Sequence, residues 1–203
     1  MRLTSRQRRV RYASRRVMTL LAVAIVAAGL IVADRYGAFG SKTARDMETY
    51  DGRSFRVARV VDGDTLDIDA PGGRHATRVR LWGVDTPETV KPNTPVQHFG
   101  PEAGAFTEQM TKGKTVTLKL ELRNTRDKYG RLLAYVILPD GDMLNRLIVE
   151  RGYGYADPRY PHAYMTEFKR LQRTAINARA GLWKDVRHED LPYYWRDSLK
   201  LPT

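Results

Sequence analysis

Arg78-Val79-Arg80-Leu81-Trp82-Gly83-Val84-Asp85-Thr86-Pro87-Glu88 begins as an alternating strand and ends in a turn. Val79, Leu81 and Gly83 fall on one face, and Arg78, Arg80 and Trp82 on the other, by the two-residue period of extended chain. Pro87 can donate no ladder hydrogen bond and drives Thr86 extended, so the strand closes there. A strand handing over to this turn keeps one cation, Arg80, and two acids, Asp85 and Glu88, in a small volume. That set suits attack on a phosphodiester: a guanidinium for phosphate oxygens, a carboxylate for a metal ion, a second carboxylate as base. The plain alternative is an edge strand with solvated charges.

The pattern on both sides is short strands. Phe55 and Val57, then Val60-Val61 after a shift, make one strand, and Thr65–Ala70 makes the next with Leu66 and Ile68 inward. Pro71-Gly72-Gly73 turns the chain into a third strand, Ala76–Val84, completing an antiparallel meander. Thr89–Phe99, with two prolines, reads as a mobile loop. Pro101 fits the first turn of a helix whose Ala103, Phe106 and Met110 form an apolar stripe, and Gly113 ends it. Thr115–Leu122 alternates with Val116, Leu118, Leu120 and Leu122 on one face, and Leu132–Leu138 is the fifth strand. Met143–Arg151 and the repeat Tyr164, Phe168, Leu171, Ala175, Ala178 give two more helices. Five strands with about three helices read as α+β, mainly β, in the order of a five-stranded OB-fold barrel. Strand order alone also fits another small α+β fold.

The chain has 203 residues and a formal net charge of +12, but the charge is uneven. Residues 1–45 hold ten Lys/Arg against one Asp, leaving 25 bases and 22 acids for residues 46–203. The folded part is not a broadly basic surface, so an anion must be gripped by a local cluster. Residues 1–16 carry seven arginines and no acid, and residues 17–33 carry no charge at all. That pairing reads as a basic cytoplasmic tail and a transmembrane helix, which places the remainder outside the cytoplasm. A cleaved signal segment, cut after Gly40, is the other reading, and it would make the protein secreted. Residues 34–52 are polar and aperiodic and read as a linker, residues 53–183 as the folded domain, and residues 184–203 as a C-terminal tail.

Four motifs stand in register: Asp62-Gly63-Asp64-Thr65, Val84-Asp85-Thr86-Pro87-Glu88, Phe99-Gly100-Pro101-Glu102-Ala103 and Asp127-Lys128-Tyr129-Gly130-Arg131. In order and spacing, from about Arg56 to Trp183, they closely resemble the staphylococcal nuclease (thermonuclease) family. The resemblance implies the OB barrel and a monomeric, calcium-dependent endonuclease domain. Such a domain cuts DNA and RNA with little sequence preference and leaves 3′-phosphates. It implies calcium ligands at Asp64, Asp85 and the backbone carbonyl of Thr86, with Asp62 behind them. It assigns Arg80 and Arg131 to the scissile phosphate and Glu88 to the attacking water, as base or as orienting group. Lys128 and Tyr129 match positions that contact a neighbouring phosphate. Tyr160 lies where the family places a base-stacking aromatic, but Asp157-Pro158-Arg159 departs from the family pattern, so Tyr155 and Tyr164 compete with it.

The chemistry of the residues is consistent with these roles taken singly. Carboxylate and carbonyl oxygens suit a hard divalent cation, and a guanidinium fork matches two phosphate oxygens as lysine cannot. Each has a bland alternative: Asp-Gly-Asp is a common hairpin turn, and Arg131 is a plain turn residue. The absence of cysteine excludes disulfides and thiol chemistry. His75, His98, His162 and His188 show no zinc-ligand spacing. Two rivals from other classes are a non-catalytic nucleic-acid-binding OB module and an anchored scaffold using the C-terminal tyrosines and Trp195.

Overall fold

The computed structural model describes residues 18–28, 42–70, 76–89 and 95–201. The chain divides into two units, Met1–Arg45 and Asp46–Thr203. In the first, the described part of helix α1 covers residues 18–28, all exposed. At 1.5 Å per residue this stretch rises about 16 Å, half of a hydrocarbon core of about 30 Å. Among the described residues no helix is long and apolar enough to cross a membrane. The expected transmembrane helix is therefore not found there; residues 1–17 and 29–33, which complete the basic tail and apolar stretch, lie outside the described residues.

Part of the expected linker is ordered. Lys42–Tyr50 forms helix α2, because its residues have somewhere to dock. The Asp46 carboxylate is buried and receives Arg126 through Nε at 2.9 Å and Nη2 at 2.7 Å. Met47 and Tyr50 pack on the main core. The chain then turns at Gly52 (φ 68°), whose N–H donates to Leu118 O at 2.8 Å, and enters the barrel directly.

Five strands close the barrel in the order β1-β2-β3-β6-β5, with β5 returning to β1. They are β1 (Ser54–Asp62), β2 (Thr65–Ile68), β3 (Thr77–Leu81), β5 (Thr115–Lys119) and β6 (Leu132–Ile137). Register shifts after Val57 and Val60 bend β1, which pairs β5 through Ser54–Arg56 and β2 from Val57 onward. β3 and β6 run parallel, Arg80 opposite Leu133. The alternation seen in the sequence fills the interior: Leu66, Ile68, Val79, Leu81, Val116, Leu118, Leu132 and Val136 are fully buried. Each contributes on the order of 1.5–3 kcal/mol.

Two strand ends differ from the sequence reading. The third strand stops at Leu81 rather than Val84, since Gly83 takes φ 76° and a Cβ there would sit 2.6 Å from His162 Nε2. Val84–Asp85 instead forms β4, which pairs with β7 (Tyr155–Ala156) in a separate two-stranded ribbon. β5 ends at Lys119, so Leu122 is exposed despite continuing the alternation.

The helices brace this arrangement. α3 (Gly100–Thr111) buries Ala103 and Phe106, with Pro101 in its first turn. α4 (Leu144–Glu150) carries Asn145, whose Oδ1 accepts from Val136 N at 2.9 Å and whose Nδ2 donates to Trp82 O at 3.0 Å. That one buried amide ties the bend after β3 to β6. α5 (Met165–Asn177) buries Phe168, Leu171, Ala175 and Ile176 but leaves Ala178 outside. Its Gln172 Oε1 accepts from Ala156 N at 2.8 Å and pins β7. The C-terminal tail belongs to the same unit: Leu182, Trp183 and Leu191 form a second core with Tyr155, and α6 (Tyr193–Arg196) follows.

Candidate active site

The Asp62-Gly63-Asp64 bend between β1 and β2 meets the Asp85-Thr86 turn face to face. A Cβ on Gly63 would lie 2.6 Å from Thr86 Oγ1, so glycine is what permits the approach. Asp64 Oδ2 accepts from Thr86 N at 3.1 Å, and its Oδ1 accepts from Thr65 Oγ1 at 2.8 Å. Arg80 reaches in from β3. Its Nη2 contacts Asp64 Oδ2 at 3.0 Å and Asp85 Oδ1 at 2.7 Å, while Nη1 donates to Leu81 O and Val84 O. One guanidinium nitrogen thus holds both carboxylates together. Burial works against the Arg80 charge, and Asp64 and Asp85 outweigh it.

Asp62 is buried behind this pair and accepts from Thr89 Oγ1 at 2.7 Å and Gly63 N at 2.9 Å. Burial pushes its pKa up to about 6, helped by the Asp64 and Glu88 carboxyls and opposed by those two hydrogen bonds. Glu88 is half-buried beside it, and its backbone is clamped by Gln97: Glu88 N donates to Gln97 Oε1 at 2.8 Å and Glu88 O accepts from Gln97 N at 2.9 Å. Asp85 is also raised, because burial exceeds the pull of Arg80 and Arg159.

A groove of about 440 Å³ opens over Arg80, lined by Trp82, Lys128, Tyr129, Arg131, Arg159 and Tyr160 among others. Asp127 shapes its rim: its carboxylate accepts from Tyr129 N and Arg131 N, and from Arg131 Nε at 2.7 Å. Arg126 Nη1 donates to Gly130 O at 2.9 Å, which links the rim to helix α2 through Asp46. Tyr129 is 72% exposed with Lys128 and Arg131 over its ring, and Tyr160 is 56% exposed and stacked on Trp82. Exposed rings among cations fit bases and phosphates. Of the three tyrosines left open by the sequence, Tyr160 faces the groove. Tyr155 is buried against Trp183, and Tyr164 packs on Tyr135 and Phe168.

The donor set fits a hard divalent cation. Among the described residues no three or more His, Cys, Asp or Glu side chains gather as a metal cage. A cation here would rest on Asp64, Asp85 and neutral oxygens. A buried hydroxyl with no partner, Thr86 Oγ1, stands beside Gly63 next to Asp64, and the acids and hydroxyl gathered here are hard oxygen donors.

The profile described as staphylococcal nuclease homologue matches residues 78–185, more than half of the chain. This chain belongs to the staphylococcal nuclease family. It is 40% identical over 166 residues to a thermonuclease of Staphylococcus intermedius, covering 81% of this chain and 94% of that protein. It is 37% identical over 134 residues to a thermonuclease of Staphylococcus hyicus, covering 66% and 77%. An endonuclease of Bacillus subtilis (strain 168), YncB, is 33% identical over 127 residues, covering 62% and 59%. The family match, from residue 78 to residue 185, covers the Asp85 turn, the 127–131 rim and the tyrosine-rich stretch.

The structure brings Asp62, Asp64, Arg80, Asp85, Thr86 and Glu88 into one cluster and Arg131, Lys128, Tyr129 and Tyr160 into the adjoining groove. Arg80 is turned inward, with both terminal nitrogens on protein oxygens. Two participants escaped the sequence reading. Arg159 Nη2 contacts Asp85 Oδ2 at 3.1 Å, and the Tyr194 hydroxyl donates to the same oxygen at 2.6 Å. The only sequence signal was the departure at Asp157-Pro158-Arg159 and the aromatic run Tyr193-Tyr194-Trp195, neither of which says that they meet at Asp85.

Proposed function

We propose that this protein is a calcium-dependent endonuclease that hydrolyses DNA and RNA with little sequence preference and leaves 3′-phosphates. The observation that carries the reading is the pair Asp64 and Asp85, drawn together by one Arg80 nitrogen at the floor of a cationic, aromatic groove. Both carboxylates are hard oxygen donors converging on one cationic nitrogen, and the groove beside them carries Lys128 and Arg131 for a substrate phosphate. Asp64, Asp85 and a Thr86 oxygen would hold calcium, which supplies charge neutralisation on the non-bridging oxygens. Arg131 would stabilise the charge that builds on the phosphoryl group, and Arg80, in this structure paired with Asp64 and Asp85, would add a second guanidinium once released from them. Glu88 orients water and accepts its proton, with Asp62 holding that acid in place. Lys128 would bind a neighbouring phosphate, and Tyr129 and Tyr160 would offer rings to bases regardless of sequence; relatives named thermonuclease and endonuclease support the nuclease reading itself. The seven arginines ahead of uncharged residues 17–33 support an anchored protein, with the catalytic unit outside the cytoplasm.

A plasmid-degradation assay with and without calcium tests this directly. Turnover is expected with calcium and none in chelator. Asp64→Ala and Asp85→Ala are expected to abolish it while circular dichroism stays unchanged. Full turnover in chelator refutes the metal assignment. Binding of a single-stranded oligonucleotide without any turnover makes the chain a non-catalytic OB module.

A further inference from the structure

The C-terminal segment ends in contact with the candidate metal site. Leu191 is fully buried in the second core, and Trp195 Nε1 donates to Ala156 O at 2.9 Å, so α6 is fixed on the outer side of β7. Arg196 Nε closes the segment on itself by donating to Leu191 O at 2.8 Å. Between these anchors Tyr194 points across the β4–β7 ribbon to Asp85. Its ring carries the Arg159 guanidinium at 4.3 Å, and Arg159 is held in turn by Asp157, through Nε and Nη2 at 2.8 Å each.

A carboxylate offers about four lone-pair positions, two on each oxygen. At Asp85, Oδ2 accepts from the Tyr194 hydroxyl and is ion-paired with Arg159 Nη2 at 3.1 Å, whereas Oδ1 accepts from Arg80 alone among these donors. Tyr194 and Arg159 therefore hold the carboxylate by Oδ2, and Oδ1 is the oxygen that shares Arg80 Nη2 with Asp64. We propose that the C-terminal segment is part of the active site, with Tyr194 and its partner Arg159 acting as positioning residues that present Asp85 Oδ1 to the divalent cation. Outer hydrogen-bond partners of this kind set ligand orientation, and their loss commonly lowers metal affinity 10- to 100-fold. The inference rests on the calcium reading above and extends it to residues near the end of the chain.

Calcium titration calorimetry on the full-length protein tests it, with Tyr194→Phe as the main variant and Arg159→Met as the second. Tyr193→Phe, at an exposed neighbour, is the control for loss of a tyrosine hydroxyl. Tyr194→Phe and Arg159→Met are each expected to weaken calcium binding by about tenfold or more, and Tyr193→Phe to leave it unchanged. The calcium concentration for half-maximal turnover should rise by the same factor, with turnover recovering at saturating calcium, which a general loss of structure would not allow. Melting temperatures in chelator should stay close to wild type. Unchanged calcium affinity in Tyr194→Phe overturns the inference and leaves the functional reading intact. Tighter binding overturns it too, since Tyr194 would then be competing with the cation. If wild type neither takes up calcium nor cuts nucleic acid, the functional reading fails and this inference with it.

Discussion

Removing the Asp46 carboxylate tests whether helix α2 is structural. In Asp46→Ala the barrel keeps Arg126 but loses the acid that receives it at 2.7–3.1 Å through Nε and Nη2. The pair is asymmetric: the Asp46 side chain is 8% exposed and Arg126 31%. Breaking a fully buried pair costs about 3–5 kcal/mol, and an exposed pair is worth about 0–1 kcal/mol. Arg126 keeps the Gly130 carbonyl and the Tyr50 ring and has some access to water, so the cost should fall near 2–3 kcal/mol. For a unit of this size each kcal/mol lowers the melting temperature by about 2–4 °C, giving a drop of about 5–10 °C. Thermal unfolding of the full-length protein in chelator, followed by circular dichroism, measures it. A double-mutant cycle with Arg126→Met should return a coupling energy of about 1.5–3 kcal/mol. A loss under about 0.5 kcal/mol with no coupling would refute the reasoning, because surface substitutions alone produce effects of that size.

The arginines should separate by kind of defect. Arg131→Lys keeps charge on the groove but loses the fork, and turnover should fall about a hundredfold or more with the melting temperature unchanged. Arg80→Lys should lose turnover and stability together, since an ammonium cannot serve Leu81 O, Val84 O, Asp64 and Asp85 at once. Near wild-type turnover in either variant would remove that arginine from the proposed chemistry. Asp62 predicts a pH dependence: its folded pKa of about 6 lies above the ordinary 3.8, so the folded state binds the proton more tightly. That contribution is fully present below about pH 4 and is lost as pH rises through 6, amounting to about 3 kcal/mol. In chelator, Asp62→Asn should therefore match wild type near pH 4 and exceed it above pH 7; parallel stability curves would show that the proton is held elsewhere.

Much of the barrel was legible because local periodicity and burial agree there. Leu66, Ile68, Val79 and Leu81 alternate in the sequence and line the interior, and Pro101 and Gly113 bracket α3 as their backbone preferences require. Periodicity failed where an element is short or is held by one distant partner. Helix α2 has only Met47 and Tyr50 packed on the core, and what fixes it is Arg126, eighty residues away. Leu122 extends an alternation beyond the last residue that has a strand beside it. β7 is two residues long and exists because Gln172 and β4 hold it. The site divides in the same way. Asp64 lies in the β1–β2 bend, Arg80 on the neighbouring β3 and Asp85 four residues beyond the end of that strand, so motif spacing brings them near each other. Arg159 reaches Asp85 through the β4–β7 pairing and Asp157, and Tyr194 through the packing of Leu191 and Trp195, which no local pattern encodes.

The parallel pairing of β3 with β6 has a consequence for the order in which the protein is built. Strands β1 to β3 form a meander from contiguous chain and bring the Asp64 bend beside Arg80. The barrel has no second neighbour for β3 until residues 132–137 exist, and β1 waits for β5. Such long-range closures set the folding rate of β-rich domains. During synthesis Asp64 and Arg80 are therefore brought together before the cationic rim at 127–131 exists. The groove over Arg80 is completed only when Asp157, Arg159 and Tyr160, which follow β7, have been made.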